Sequence, residues 1–143
     1  MISVVEALNY RCLRYVRQPL AGFHVLVGPN ASGKTTFLDV VGFLHDLVAK
    51  GLDAAIGSRT FALSDLVWWH GEGGFELAVE ARIPDVQREL LKEPEFDTVR
   101  YEVAICFNSE SEQVEIAKEK GFLKVAENEG AQERSLFPMH CEP

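Results

Sequence analysis

The residues best equipped for chemistry are Gly28-Pro29-Asn30-Ala31-Ser32-Gly33-Lys34-Thr35. They fit the pattern G-x-x-x-x-G-K-[S/T] without a mismatch. Glycine at positions 28 and 33 permits backbone conformations that a side chain would obstruct. The amides between them can then turn inward as an anion nest. A helix starting at Lys34 adds unpaired N–H groups and a favourable field. Lys34 supplies a mobile cation for the β- and γ-phosphates and the charge to stabilise a transition state. Thr35 supplies a hydroxyl oxygen for Mg²⁺, and Thr36 a donor for the α-phosphate. Residues 28–36 therefore point to a triphosphate, ATP with Mg²⁺. No GxGxxG of the dinucleotide-binding kind accompanies them.

Other candidates nearby are less specific. Asn30 can brace the nest or help position water near the γ-phosphate. Asp39, one helical turn after Thr35, suits a local polar network better than support of Mg²⁺ through a water. Hydrolysis also needs a metal-holding acid and a group that orients the nucleophile. No apolar run after Lys34 ends in Asp or Asp-Glu. The run VAICF at 103–107 leads to Asn108, Ser109 and Glu110, so Glu110 is a weak acid candidate. Gln87, Gln113 and Gln132 have the right chemistry and nothing local that singles one out.

The loop needs a strand before it and a helix after it. Residues 23–27, FHVLV, read as a short buried strand ended by Gly-Pro-Asn. Residues 34–50 read as a helix, with Leu38, Val41, Leu44, His45 and Val48 near one face and Phe37, Val40 and Leu47 widening it. Gly51 supplies its stop. Residues 3–8 and 12–17 read as strands, which would put Arg14 and Arg17 on opposite faces. Residues 52–69 are ambiguous, with a short helix expected within 61–69. Residues 75–83 alternate as a half-exposed strand, 86–91 suit one or two helical turns, and 99–107, 114–117 and 123–126 suit further strands. The expected fold class is mixed α/β: a P-loop strand and helix packed with a mainly antiparallel sheet.

Bulk composition narrows the context. The chain has 143 residues, 47% hydrophobic and 25% charged, the mixture of one ordinary globular domain. Residues 1–60 hold six Lys/Arg and four Asp/Glu, a net of +2. Residues 61–143 hold eight and eighteen, a net of -10, which argues against an extended nucleic-acid track there. Cys12, Cys106 and Cys141 are few and widely spaced, without zinc-ligand spacing. They suit reduced thiols in the cytoplasm. Neither a secretory start nor a membrane-length apolar stretch is present.

The stretch LNYRCLRYVRQPLAGFHVLVGPNASGKTTFLDVVGFLHDL resembles the N-terminal segment of ABC-type ATPase heads of the SMC, Rad50 and RecF-like group. It is most similar to the prokaryotic AAA-family ATPases grouped with the overcoming-lysogenization-defect nucleases. The cues are Asn9-Tyr10-Arg11 at a turn between two strands, GPNASGKTT, and Phe37-Leu38-Asp39 opening the helix. Coverage is strongest over residues 3–50 and vague after Gly71. The resemblance implies that Arg11 contacts or flanks nucleotide phosphate and that Asn30 serves the γ-phosphate side. Lys34, Thr35 and Thr36 take the P-loop roles. It also implies motifs not found here: the Leu-Ser-Gly-Gly-like signature, the second-acid motif and the switch histidine. His70 and His140 lack the strand that would precede a switch. On this reading residues 1–143 are a single partial P-loop domain, an N-terminal lobe, whether a piece of a longer chain or a naturally short protein. Its expected partners are nucleotide, a C-terminal lobe and a second head completing a composite site. Nucleic acid would be a partner of the full-length parent only. Hydrolysis by the chain alone should be weak or absent. The alternatives are an interaction module that binds nucleotide without turnover and, with less support, a compact small-substrate kinase.

Overall fold

The computed structural model describes residues 1–71, 73–93 and 95–126. Five strands form one antiparallel sheet: β1 (Ile2–Tyr10), β2 (Leu13–Pro19), β3 (Gly74–Arg82), β4 (Thr98–Asn108) and β5 (Gln113–Lys124). Their spatial order is β2-β1-β3-β4-β5. Helices α1 (Lys34–Lys50) and α2 (Leu52–Gly57) follow the loop, and α3 (Asp85–Arg88) lies between β3 and β4. The ambiguous stretch before β3 resolves into two 3-10 turns, Leu63–Leu66 and Trp68–His70. The expected pair of strands at 114–117 and 123–126 is one continuous β5, because its charged residues sit on an exposed edge strand and need not interrupt it.

One sheet face carries the apolar core. Val5, Ala7, Phe75, Leu77, Val103 and Ile105 pack against Val40, Phe43, Leu44 and Leu47 of α1. Tyr10, Phe43 and Phe75 meet ring to ring, with centroids 5.0–5.9 Å apart. Each such fully buried side chain contributes about 1.5–3 kcal/mol of transfer free energy. The buried stripe of α1 is therefore rotated from the expected one: Leu38 and Val48 are exposed.

The opposite face was expected to be half-exposed and is not. Glu6, Glu76, Glu80, Arg100 and Glu102 are all buried. Antiparallel register places Glu6, Ala78 and Glu102 in one row and Val4, Glu80 and Arg100 in the next. Arg100 spans the rows, donating from Nη2 to Glu6 (2.9 Å), from Nη1 to Glu80 (3.0 Å) and from Nε to Glu102. Lys124 adds a second cation on Glu80 at 3.0 Å. Ion pairs of Glu6, Glu80 and Glu102 with Arg100 and Lys124 thus occupy this face in place of an apolar layer, with Glu76 buried beside them.

The largest correction concerns residues 23–27. They form no strand. Phe23 and Val27 are 84% and 88% exposed. A strand needs a neighbour to take its N–H and C=O groups, and none of the five strands of the sheet pairs with this segment.

Candidate functional site

The loop at 28–33 stands between the unpaired segment and α1. Its left-handed residues are Ala31 (φ 63) and Gly33 (φ 88), so the special conformation expected of Gly28 falls on Ala31 instead. Gly33 is also confined: a Cβ there would lie 3.3 Å from Cys12 Sγ and Leu13 Cδ2. The first hydrogen bond of the helix runs from Phe37 N–H to Gly33 O at 2.8 Å. The amides of Lys34, Thr35 and Thr36 precede it, as the first N–H groups of any helix do, and have no carbonyl a turn back. Lys34 Nζ folds over the loop and donates to Gly28 O (2.8 Å), Pro29 O (2.6 Å) and Ser32 Oγ (3.2 Å). An ammonium has three protons. The two carbonyl bonds brace the loop, and the bond to Ser32 is the longest of the three.

The β1–β2 turn sits beside this loop. Cys12 Sγ donates to Thr36 Oγ1 at 3.3 Å. Arg11, left-handed at φ 51, is pinned by its N–H to Leu66 O at 2.8 Å. Its Nη1 reaches Asp39 Oδ2 at 3.2 Å. Asp39 Oδ2 also accepts from Tyr10 Oη at 2.7 Å, and Oδ1 accepts from Arg59 Nε at 2.9 Å. Burial pushes the Tyr10 hydroxyl pKa well up, and its bond to Asp39 adds to that, so Tyr10 is a donor at any physiological pH. Arg59 continues to Asp46 Oδ2 at 3.0 Å and to Ala55 O at 2.8 Å. The bonds from Lys50 and then Arg59 hold the Asp46 carboxyl down at about 2.

Two cavities flank the same turn. One, of about 530 Å³, is lined by Arg11, Cys12, Asp65, Val67, Trp69 and His70. The other, of about 480 Å³, includes Asn9, Arg14, Trp68 and Glu76. Arg14 lies over the Trp68 ring, 5.3 Å from its centroid. Trp69 and His70 have φ of 58° and 52°, and Trp69 is 82% exposed.

Gly28, Pro29, Asn30, Ala31, Ser32, Gly33, Lys34, Thr35 and Thr36 are thus one continuous loop and helix start, with Arg11 in the two-residue β1–β2 turn beside them. Asp39 is the centre of a polar network, as the sequence led us to expect. The remaining candidates do not converge on the loop by any contact described. Glu110 lies in the β4–β5 turn, with its N–H on Asn108 Oδ1 at 2.9 Å. Gln87 is in α3 and Gln113 begins β5. His70 stands 3.8 Å from Asp65. Gln132, His140 and Cys141 lie outside the described residues. Among the described residues no cluster of three His, Cys, Asp or Glu groups is set to hold a metal. Also among them, no helix is long and apolar enough to cross a membrane. Sequence reasoning missed Arg59 and Tyr10 as partners of Asp39. Arg59 fell in a stretch without periodicity, and nothing in its spacing signalled it.

Comparison with known proteins places this geometry. No curated protein matches the chain. A solved structure described as "Structural biochemistry of ATP-driven dimerization and DNA stimulated activation of SMC ATPases" shares the fold, at a TM-score of 0.54 and 20% identity. The match covers 87% of this chain and 69% of that one. The chain shares with that structure a mixed α/β fold, a mostly antiparallel sheet flanked by helices. The family model described as "AAA domain, putative AbiEii toxin, Type IV TA system" matches residues 23–124, which take in both the loop and the three strands β3, β4 and β5. By that match the chain belongs to this family of AAA-type P-loop ATPase domains.

Proposed function

We propose that this chain binds the phosphates of ATP with Mg²⁺ at residues 28–36 and contributes one half of a composite ATPase site. The observation that carries the reading is Lys34, braced over the loop by Gly28 O and Pro29 O at the start of α1. In this reading the loop amides and Lys34 hold the β- and γ-phosphates, and Thr36 meets the α-phosphate. Asn30 stands on the γ side and Arg11 beside the phosphates. Thr35 would be the protein's ligand to Mg²⁺, which enters with the nucleotide and neutralises its charge. The residues fit that role, since hydroxyl and phosphate oxygens are what Mg²⁺ takes.

Two features support incompleteness. Asp39, the acid nearest the loop in sequence, is already committed to Tyr10, Arg11 and Arg59. Phe23, Val25, Leu26 and Val27 are exposed and have no strand neighbour among the described residues, as expected where another lobe supplies adjacent strands. The full assembly would then need a C-terminal lobe and a second head. Nucleic acid belongs to such a parent, since residues 61–143 carry a net charge of -10. The engagement of Asp39 also favours a second reading, a regulatory module that binds nucleotide without turning it over.

Calorimetric titration with ATP and ADP in Mg²⁺ tests the claim. Binding is expected for the wild type and lost in Lys34→Ala; a silent wild type refutes it. Phosphate release by the chain alone should be weak or absent. Robust turnover that disappears in Lys34→Ala would overturn the half-site reading.

A further inference from the structure

Asp39 carries more donors than an ordinary surface carboxylate, and the donors are not equivalent. Arg59 has Oδ1 to itself at 2.9 Å. It is fixed on every side, by Asp46 Oδ2 (3.0 Å), Ala55 O (2.8 Å), Ser58 Oγ (3.0 Å) and the Phe43 ring 5.1 Å away. Its side chain is 10% exposed. Among the described residues the Arg11 side chain makes one hydrogen bond, at 3.2 Å, on an oxygen that Tyr10 already serves at 2.7 Å. Its side chain is 35% exposed and lines the cavity shared with Cys12, which touches Thr36.

We propose that Asp39 and Arg59 are positioning residues: together they park Arg11 beside the phosphate loop and let it leave for a phosphate without stranding a charge. The proposal rests on the reading of Arg11 as a phosphate contact. Asp39 attracts the guanidinium and holds it near the loop. Arg59 and Tyr10 satisfy Asp39 so fully that the bond to Arg11 is weak and dispensable. Without Arg59, Asp39 would have Arg11 as its one cation. Moving Arg11 away would then leave a partly buried carboxylate with Tyr10 but no cation, which is unfavourable. The pinned N–H of Arg11 confines the exchange to its side chain.

The two partners therefore have opposite effects on Arg11, a signature that simple structural damage does not produce. Asp39→Asn removes the attraction. Arg59→Met keeps the packing on Phe43 but leaves Asp39 to Arg11. The full chain and these variants would be treated with phenylglyoxal, and the modification rate of Arg11 read by mass spectrometry. Titration with ATP and Mg²⁺ would follow, with circular dichroism establishing that each variant is folded. We expect Arg11 modification about threefold faster and ATP bound about threefold tighter in Asp39→Asn, the size of one part-exposed ion pair. Both should shift about threefold the other way in Arg59→Met. The shifts in ATP affinity should vanish when Arg11 is also Ala. If Arg59→Met does not fold, Arg59→Lys, which cannot serve Asp39 and Asp46 together, should shift both readouts in the same direction as expected for Met. Modification rates that move the same way in the Asp39 and Arg59 variants would overturn the partition. Opposite modification rates without any change in ATP affinity would overturn the reading of Arg11 as a phosphate contact, and the transfer with it.

Discussion

Replacing Glu76 by Gln should change the pH dependence of stability more than any other single substitution on the charged sheet face. Glu76 is 4% exposed, and its Oε2 has no hydrogen-bond partner among the described residues. Burial, then the nearby Glu102 carboxylate, raises its pKa from 4.5 to about 7, with Lys118 pulling the other way and Glu6 adding to the rise. Between pH 4.5 and 7 the unfolded chain gives up this proton while the folded chain keeps it. The folded state then binds more protons, so stability falls as pH rises through that window and levels off above it. At 1.36 kcal/mol per pKa unit, the loss is at most about 3 kcal/mol. Gln has no proton to lose, so the variant should lack this fall. Urea unfolding followed by tryptophan fluorescence at pH 4.5, 6 and 8 measures it. The difference between wild type and variant cancels the other titrating groups, including Asp46, whose lowered pKa acts at much lower pH. Whatever constant offset the buried amide introduces, the variant should gain on the wild type by about 3 kcal/mol at most between pH 4.5 and 8. Parallel stability profiles would show that Glu76 is either solvated or paired in solution, and the reasoning would fail.

Three further outcomes can be checked by the same unfolding measurements. Arg100→Met should cost about 3–5 kcal/mol, because Glu6, Glu80 and Glu102 would remain buried with Lys124 on Glu80 as the nearest described cation. Gly74→Ala should be severely destabilising, since the added Cβ would fall 2.1 Å from Ile105 O across the β3–β4 ladder and the strands would have to part. The pair Val25→Thr and Val27→Thr should leave the stability of the chain within about 0.5 kcal/mol of wild type despite removing two apolar groups, because both positions are exposed.

Much of this architecture was legible before any coordinates. α1 was read at its observed bounds because a nucleotide-loop motif marks its start and Gly51 its end. β3 was found by period-two alternation, and β4 as a strand candidate at 99–107. What failed had common physical causes. The FHVLV run has the composition of a buried strand, but composition cannot supply the neighbour that a strand requires. The alternation of β3 was sound, yet "polar out" was wrong, since Glu80 pairs with Arg100 twenty residues away and Glu76 is buried beside the Glu102 carboxylate. The face of α1 was misjudged because apolar residues surround most of the helix, and only the position of the sheet decides which are covered. The loop could be read residue by residue from its motif. The Asp39 network could not, because its three donors come from a strand end, a turn and a stretch without periodicity.

The buried lattice of charges on the sheet has a consequence for how the strands find one another. Alternating apolar residues penalise a slip of one position, which turns every side chain over. They are nearly blind to a slip of two, which restores the alternation. Arg100 is not blind to it. If β4 slid two residues along β3, Glu102 would take the place of Arg100 across from Glu80, and two carboxylates would meet in the interior. Glu6, on the far side of β3, would lose the guanidinium that reaches it. Such a chain would keep its hydrophobic pattern and still be excluded by charge. The ion pairs therefore act as a proofreading key, one that rejects the misalignment to which the apolar core is insensitive.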